Sequence, residues 1–373
     1  MFYYQANRYK LLNRSITAKF DRYDVETWDI EKIIEAIIHH HLAALANPDM
    51  LKSIDLKGFD PILETEEGSK IFRPTLYDFL AHRAVDYFIM DESSLTQPAF
   101  RFEMNKETFL SSAPEFIKAD ISTKDSLSLK FYAIEIFQDL ISFHLKDKDP
   151  AALIDVDLKR LQFVRNTAVL EEKDSLYLES LLYLQDKYSG FESSAEVSYK
   201  LAAYYYERGQ LYNPLGSDKY KWDIKKALEV LEDAISMYPD SFGADNCREL
   251  KEMILKKSLS LTTEYANLPL KPFLGLVSYK NISQAFFRVI PLNYQEDRRL
   301  KQNYRREELL NQYIRMTPAL AWDQALVNDG DMQAHAAEVR LPEMPLGYYV
   351  LLIGNTENFS LQEGVVSHAG FWI

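Results

Sequence analysis

A single cysteine, Cys247, stands in the 373 residues. It excludes an intramolecular disulfide framework and a cysteine-rich zinc module. So little cysteine suits a cytosolic protein and an exported bacterial one equally. Glycine is also scarce, with 12 residues and no cluster, so no glycine-rich loop is present to cradle a phosphate. Basic charge is in deficit: 43 Lys/Arg stand against 56 Asp/Glu. Residues 258–373 hold 10 Lys/Arg and 12 Asp/Glu, so the first 257 residues carry about −11 of the net −13. That charge repels nucleic acid and anionic membrane surfaces. No run approaches the roughly 18 apolar residues of a membrane helix. The opening MFYYQANRYK lacks the apolar core and small-residue cleavage site of a signal peptide. An exported parent would therefore carry its targeting segment outside this sequence.

Catalytic patterns are missing as well. His39-His40-His41 lie in a helical stretch, where successive side chains point about 100° apart. Three in a row cannot converge on one ion, whereas an i, i+4 pair could. His41 falls in an isoleucine stripe and is expected to be structural. His82 and His144 read as isolated helix histidines with no HExxH spacing, and no serine sits in a GxSxG elbow. Glu171-Glu172 and Glu307-Glu308 read as solvated charge rather than a paired-carboxylate site. Tyr204-Tyr205-Tyr206 could form a binding platform, although Tyr206 is expected to pack inward. Asn281-Ile282-Ser283 and Asn358-Phe359-Ser360 match glycosylation acceptors only formally. The expectation is a protein that is not an enzyme, with no catalytic residues, metal site or cofactor.

What is present is core and period. With 47% hydrophobic residues, the chain can bury two or three domains. Helical periodicity predicts a helix from about Asp29 to Ala46, with Ile30, Ile33, Ile34 and Ile37 on one face and Asn47-Pro48 as its stop. Pro74 is placed as a first-turn proline for TLYDFLAHRAVDYF. Residues 125–145 are apolar almost all round, as in a helix buried between neighbours. Further helices are expected at 150–167 and 174–187, the second with Leu176, Leu178, Leu181 and Leu182 inward. Ser194–Gly209 and Trp222–Tyr238, closed by Pro239, form a pair. Its Ala202, Tyr206, Gly209, Tyr212, Ala227 and Ala234 follow the small/aromatic alternation of a degenerate tetratricopeptide repeat. Residues 244–257 supply the helix packed after it.

After Ser258 the period changes from 3.6 to 2. LSLTTEYA, FLGLVSYK, SQAFFRVIPL, MQAHAAEVRLP and GYYVLLIG read as strands of one β-sandwich. The charged stretch 296–316 reads as a helical excursion at its edge. The fold class expected is α + β and multidomain, with an all-helical, partly repeat-like domain over 1–257 and an antiparallel β-sandwich over 258–373.

Three segments carry a resemblance: RPTLYDFLAHRAVDYF (73–88), LKDKDPAALIDVDLKRLQFV (145–164) and LPEMPLGYYVLLI (341–353). Together they resemble the N-terminal region of the large α2-macroglobulin-like proteins of Bacteroidetes, over roughly residues 28–373. The resemblance implies that the sandwich is of macroglobulin type. It also implies an exported, periplasmic or cell-envelope parent, often a lipoprotein, that inhibits endopeptidases through a bait region and, in many members, an internal thioester. Proteases are then partners of the full-length protein, and other envelope proteins are possible partners of the helical domain. The thioester motif Cys-x-Glu-Gln is not met: Cys247-Arg248-Glu249-Leu250 has no side-chain amide to condense. The competing expectation is a helical-repeat adaptor that binds a peptide or partner protein.

Overall fold

A computed structural model describes residues 6–7, 9–11, 21–64, 68–89 and 101–373. Helices come first and two antiparallel sheets follow, an α + β layout. Secondary structure changes type at Ser258, where the period changes. The chain's compact units follow a different line: Met1–Leu201 with Ala234–Asn246 form one, and Ala202–Asp233 with Cys247–Ile373 the other.

The first unit is built on α1 (Ile30–Ala44), α2 (Pro48–Lys52), α3 (Leu76–Phe88), α4 (Ala113–Phe116), α5 (Leu129–His144), α6 (Ala151–Thr167) and α7 (Lys173–Tyr188). Helix α1 starts where Asp29 caps the Lys32 amide at 2.8 Å, and it buries Ile33, Ile34, Ile37 and Ile38. Ile30 is not in that core. Pro74 is not in the first turn of α3. Thr75 is the N-cap there, and its side chain exchanges hydrogen bonds with Asp78 in a capping box, which satisfies two otherwise orphaned amides. Helix α3 packs on α5, α5 on α6, and α6 on α7. In α7 the inward residues are Tyr177, Ser180, Leu181 and Leu184. Leu182 points outward, because the contact stripe runs 177–181–184 at helical spacing.

Arg160 of α6 is fully buried. Its guanidinium pairs with Asp157, donates to the carbonyls of Phe109 and Ser111, and lies 4.3 Å from the centre of the Phe116 ring. Each of the three guanidinium nitrogens has an acceptor fixed by the fold, which is how a buried cation becomes tolerable.

Helices α8 (Ser194–Gly209), α9 (Asp223–Met237) and α10 (Phe242–Leu255) contribute to both units. Ala202, Ala227 and Ala234 are buried. In the first unit Gly243 comes so close to α8 that an added Cβ would lie 2.5 Å from the Ala195 carbonyl carbon and the Glu196 nitrogen. In the second, Gly209 abuts the Ile224 side chain, whose Cγ1 would lie 2.5 Å from an added Cβ, and Arg208 grips Asp223 at 2.5 and 3.1 Å. Gln333 Nε2 donates to the carbonyls of Gly209 and Lys221 at 3.1 and 3.2 Å. Asn281 Nδ2 donates to the carbonyl of Ile254 at 2.8 Å. These bonds tie the α8–α9 connection and the end of α10 to the strands.

The strands are β1 (Ser258–Thr263), β2 (Phe273–Lys280), β3 (Gln284–Pro291), β4 (Leu320–Ala325), β5 (Ala334–Leu341), β6 (Tyr348–Gly354) and β7 (Val366–Trp372). They form a three-stranded sheet, β1-β2-β5, and a four-stranded sheet, β4-β3-β6-β7, with antiparallel neighbours. Leu259, Val277, Val339, Phe287, Leu351 and Phe371 belong to the core shared by the sheets. Past β1 the chain crosses over, and Tyr265 and Asn267 bond the Trp372 backbone at 2.8 and 2.9 Å.

The stretch 296–316 is not an edge excursion. It folds as α11 (Tyr294–Asn303) and α12 (Arg306–Arg315). Leu300, Leu309, Leu310 and Tyr313 cluster with Tyr348, Val350 and Leu352 on the outer face of the four-stranded sheet. Charge dominates these helices, but their apolar residues recur at helical spacing and need a surface. All seven residues of β6 are therefore buried, and its sequence is a continuous apolar run rather than an alternation. Strands β4 and β7 lay outside the sequence expectation. LAWDQA is short and mostly exposed, and VSHAGFW is broken by a glycine.

Candidate docking groove in the helical unit

Along α6, Asp155, Lys159, Gln162 and Asn166 recur at i, i+4, i+7 and i+11, which puts them on one helix face. The row is about 16 Å long at the rise of an α-helix. It lines a cavity of about 430 Å³, together with Leu158, Phe163, Phe72, Ile89 and Phe242, and with Glu196 and Lys200 of α8. That volume lies in the usual range of ligand sites.

The charges of this groove are partly spoken for. Arg73 Nε is 3.2 Å from Asp155 Oδ2. Lys159 Nζ bonds Asp86 and lies 3.4 Å from His82 Nδ1. His82 is buried, and burial pushes its pKa well down, with the charges of Arg73, Lys159 and His144 acting in the same direction. The ring is neutral, and since an ammonium can only donate, Nδ1 is the acceptor. Burial pushes the Glu196 carboxyl up. The charge of Lys200 opposes that shift, Asp155 adds to it, and a hydrogen bond from Asn246 opposes it again. Glu196 Oε1 is buried without a hydrogen-bond partner.

His144 is not isolated. Its Nε2 is 2.7 Å from Asp78 Oδ1 and its Nδ1 is 2.7 Å from Asp147 Oδ2. Only an imidazolium can donate to both carboxylates. Burial alone would lower its pKa, but the hydrogen bond and charge of Asp78, and then those of Asp147, outweigh it and the net shift is upward. A raised folded-state pKa stabilises fully below the unfolded value, about 6.5, and that stability is lost as pH rises through the folded value. Urea denaturation of His144→Gln should show a deficit of about 1.5–3 kcal/mol at pH 6 that shrinks toward pH 9. A deficit constant over that range would refute the imidazolium.

The other residues singled out in the sequence do not assemble into a site. His39 and His40 are exposed, and His41 stacks on Tyr87 with ring centroids 5.5 Å apart. Among the described residues no group of three or more His, Cys, Asp or Glu converges as a metal site, and no helix is long and apolar enough to cross a membrane. Tyr204 and Tyr205 are buried and Tyr206 is half-buried, so the side chains that pack furthest inward are the first two rather than Tyr206. Glu171 and Glu172 are exposed, and Glu308 caps the Arg305 amide at 3.0 Å. Cys247 is buried within α10. The polar row on α6 and its partners on α8 escaped the sequence reading, although Asp155, Lys159, Gln162 and Asn166 already carried the helical spacing that marks a shared face. No family model and no curated protein matches the chain.

Proposed function

We propose that this chain is the non-catalytic N-terminal segment of a macroglobulin-like endopeptidase inhibitor. Its helical part, with a degenerate tetratricopeptide-like pair, serves as a spacer or docking scaffold. Its sandwich is the first of a string of macroglobulin-type domains. What supports the reading most is the antiparallel seven-stranded sandwich that follows a long helical region, the order found where the three resembling segments occur. The parent is then periplasmic or attached to the cell envelope, its targets are proteases, and the chain itself holds neither bait nor thioester.

Mixing the chain with a panel of endopeptidases should therefore give no loss of activity toward a large substrate and no covalent adduct on a denaturing gel. A stable high-mass adduct that disappears in Cys247→Ala would overturn the proposal. The groove on α6 and α8 favours a second reading, a helical-repeat adaptor for a peptide or partner protein. The coding sequence beyond Ile373 separates the two: further β-sandwich domains belong to the inhibitor, and a stop codon to the adaptor.

A further inference from the structure

Each sheet of the sandwich has two edge strands, β1 and β5 in one and β4 and β7 in the other. On one side β1 packs near β7, and the crossover after β1 seals it through the backbone bonds of Tyr265 and Asn267 with Trp372. On the other side β4 and β5 flank a cleft of about 530 Å³, whose walls include Pro272, Leu320, Trp322, Arg340 and Leu341. Strand β4 has a neighbouring strand on one side alone. The Leu326 amide donates to the Ser283 carbonyl, and in the antiparallel register of β3 and β4 this fixes the direction of every backbone group. Leu320, Trp322 and Gln324 turn N–H and C=O toward β3. Ala321, Asp323 and Ala325 turn theirs outward, and no bond to these groups is made among the described residues. Three donors and three acceptors thus stand in a row about 13 Å long. Exposed edges are commonly blunted by lysine, proline or a covering segment. LAWDQA contains neither lysine nor proline. Its one charge, Asp323, is bonded by Gln284 Nε2 of β3 at 2.5 Å. Trp322 is half-buried and lies flat on Phe287, with ring centroids 4.9 Å apart.

We infer that β4 is a docking edge, which takes an extended segment of a partner protein as an antiparallel fifth strand whose alternate apolar side chains enter the cleft beside Trp322. The backbone row dictates the occupant. Donors and acceptors at the spacing of a strand are met by another extended chain, whereas a helix uses its own backbone groups internally. Antiparallel addition continues the pattern of the sheet and is the more stable pairing. Residues directly opposite in neighbouring strands share a face. The partner residue facing Trp322, which packs on the core between the sheets, therefore points between the sheets too, and the cleft has room for it. A second copy of this chain is the poorer occupant, since each copy carries a net charge of −13 and like charges resist association. The site belongs to the sandwich and stands apart from the groove on α6.

The test titrates the full chain into fluorescein-labelled octapeptides of alternating Thr and Val, followed by anisotropy. One peptide is N-methylated at every Val, which leaves the Thr N–H groups free for β4 and blocks self-association along the far edge. The other is N-methylated at every Thr. The first should bind at least about tenfold more tightly, one tenfold step being about 1.4 kcal/mol, and should weaken at least about tenfold when Ser replaces Val. Ala321→Pro removes an outward donor that β3 does not use, so it should abolish binding without lowering the melting temperature. In the unaltered chain, amide exchange at Ala321, Asp323 and Ala325 should slow at least about tenfold when the first peptide is bound. No binding of either peptide, equal binding of both, or tighter binding of the Thr-methylated one would each overturn the inference. So would binding that leaves those three amides unprotected, or that is indifferent to the change from Val to Ser. A dimer of the chain that Ala321→Pro dissociates would assign the edge to a second copy and overturn it as well.

Discussion

Asp297→Ala should destabilise the protein by about 2–5 kcal/mol in urea denaturation at neutral pH, since each of the two buried hydroxyls it leaves unpaired costs about 1–3 kcal/mol. The carboxylate sits in the first turns of α11 and is almost fully buried. It accepts from the Tyr313 hydroxyl on α12, from the Tyr348 hydroxyl on β6 at 2.6 Å, and from Lys301 Nζ at 2.7 Å. Burial pushes its pKa up, but the bonds from Lys301, Tyr313 and Tyr348 outweigh it and hold the carboxyl below the usual range. Truncation would leave two buried hydroxyls without an acceptor. Because the folded pKa is depressed, the stabilisation is present above the unfolded value, about 3.9, and is lost as pH falls through the folded one. The deficit of the variant should therefore narrow in acid. A loss under about 1 kcal/mol at pH 7 would mean that this carboxylate does not join α11, α12 and β6.

Gly243→Ala is expected to cost about 3 kcal/mol or more, at the upper end of what overpacking does. The new methyl would collide with the backbone of Ala195 and Glu196, and main-chain atoms in a helix cannot rotate aside as a flexible side chain can. Helices α8 and α10 would have to separate where they touch. Thermal unfolding followed by circular dichroism decides it, and an unchanged melting temperature would show that the close approach is absent. Replacing Ala195 by glycine in the same variant should restore little, since two of the three nearest atoms belong to the backbone.

Much of this architecture was legible because it is local. Ser194–Gly209 was read residue for residue as the first helix of a pair with small/aromatic alternation, and the change of period at Ser258 marked the first strand. The parts that escaped depend on partners far along the chain. His144 reads as a lone histidine until Asp78, 66 residues earlier, is placed beside it. Nothing local marks Arg160 as a buried residue, since the carbonyl of Phe109 that accepts from it lies 51 residues away. The small residue that matters most between α8 and α10, Gly243, fell outside the alanine pattern by which the helix pair was recognised. The groove escaped for a related reason: the spacing on α6 is visible in one dimension, but the carboxylate of Glu196 joins it only through folding.

The burial of β6 on both faces removes the usual safeguard against strand slippage. In a strand with one wet face, a shift of one residue exposes every apolar side chain and is strongly disfavoured. In Tyr-Tyr-Val-Leu-Leu-Ile, the same shift exchanges one apolar residue for another and costs little by that measure. The alignment of β6 must then be set by features that cannot be exchanged, and two lie at its ends. Tyr348 must meet Asp297, which Tyr349, pointing to the other face and bonded to the carbonyl of Pro345, cannot do. Gly354 faces Phe359, whose ring would lie 2.9 Å from any Cβ placed there, so neither Ile353 nor Asn355 can take its place. The buried carboxylate and the missing side chain thus serve as the two index marks by which an otherwise uniform strand finds its position.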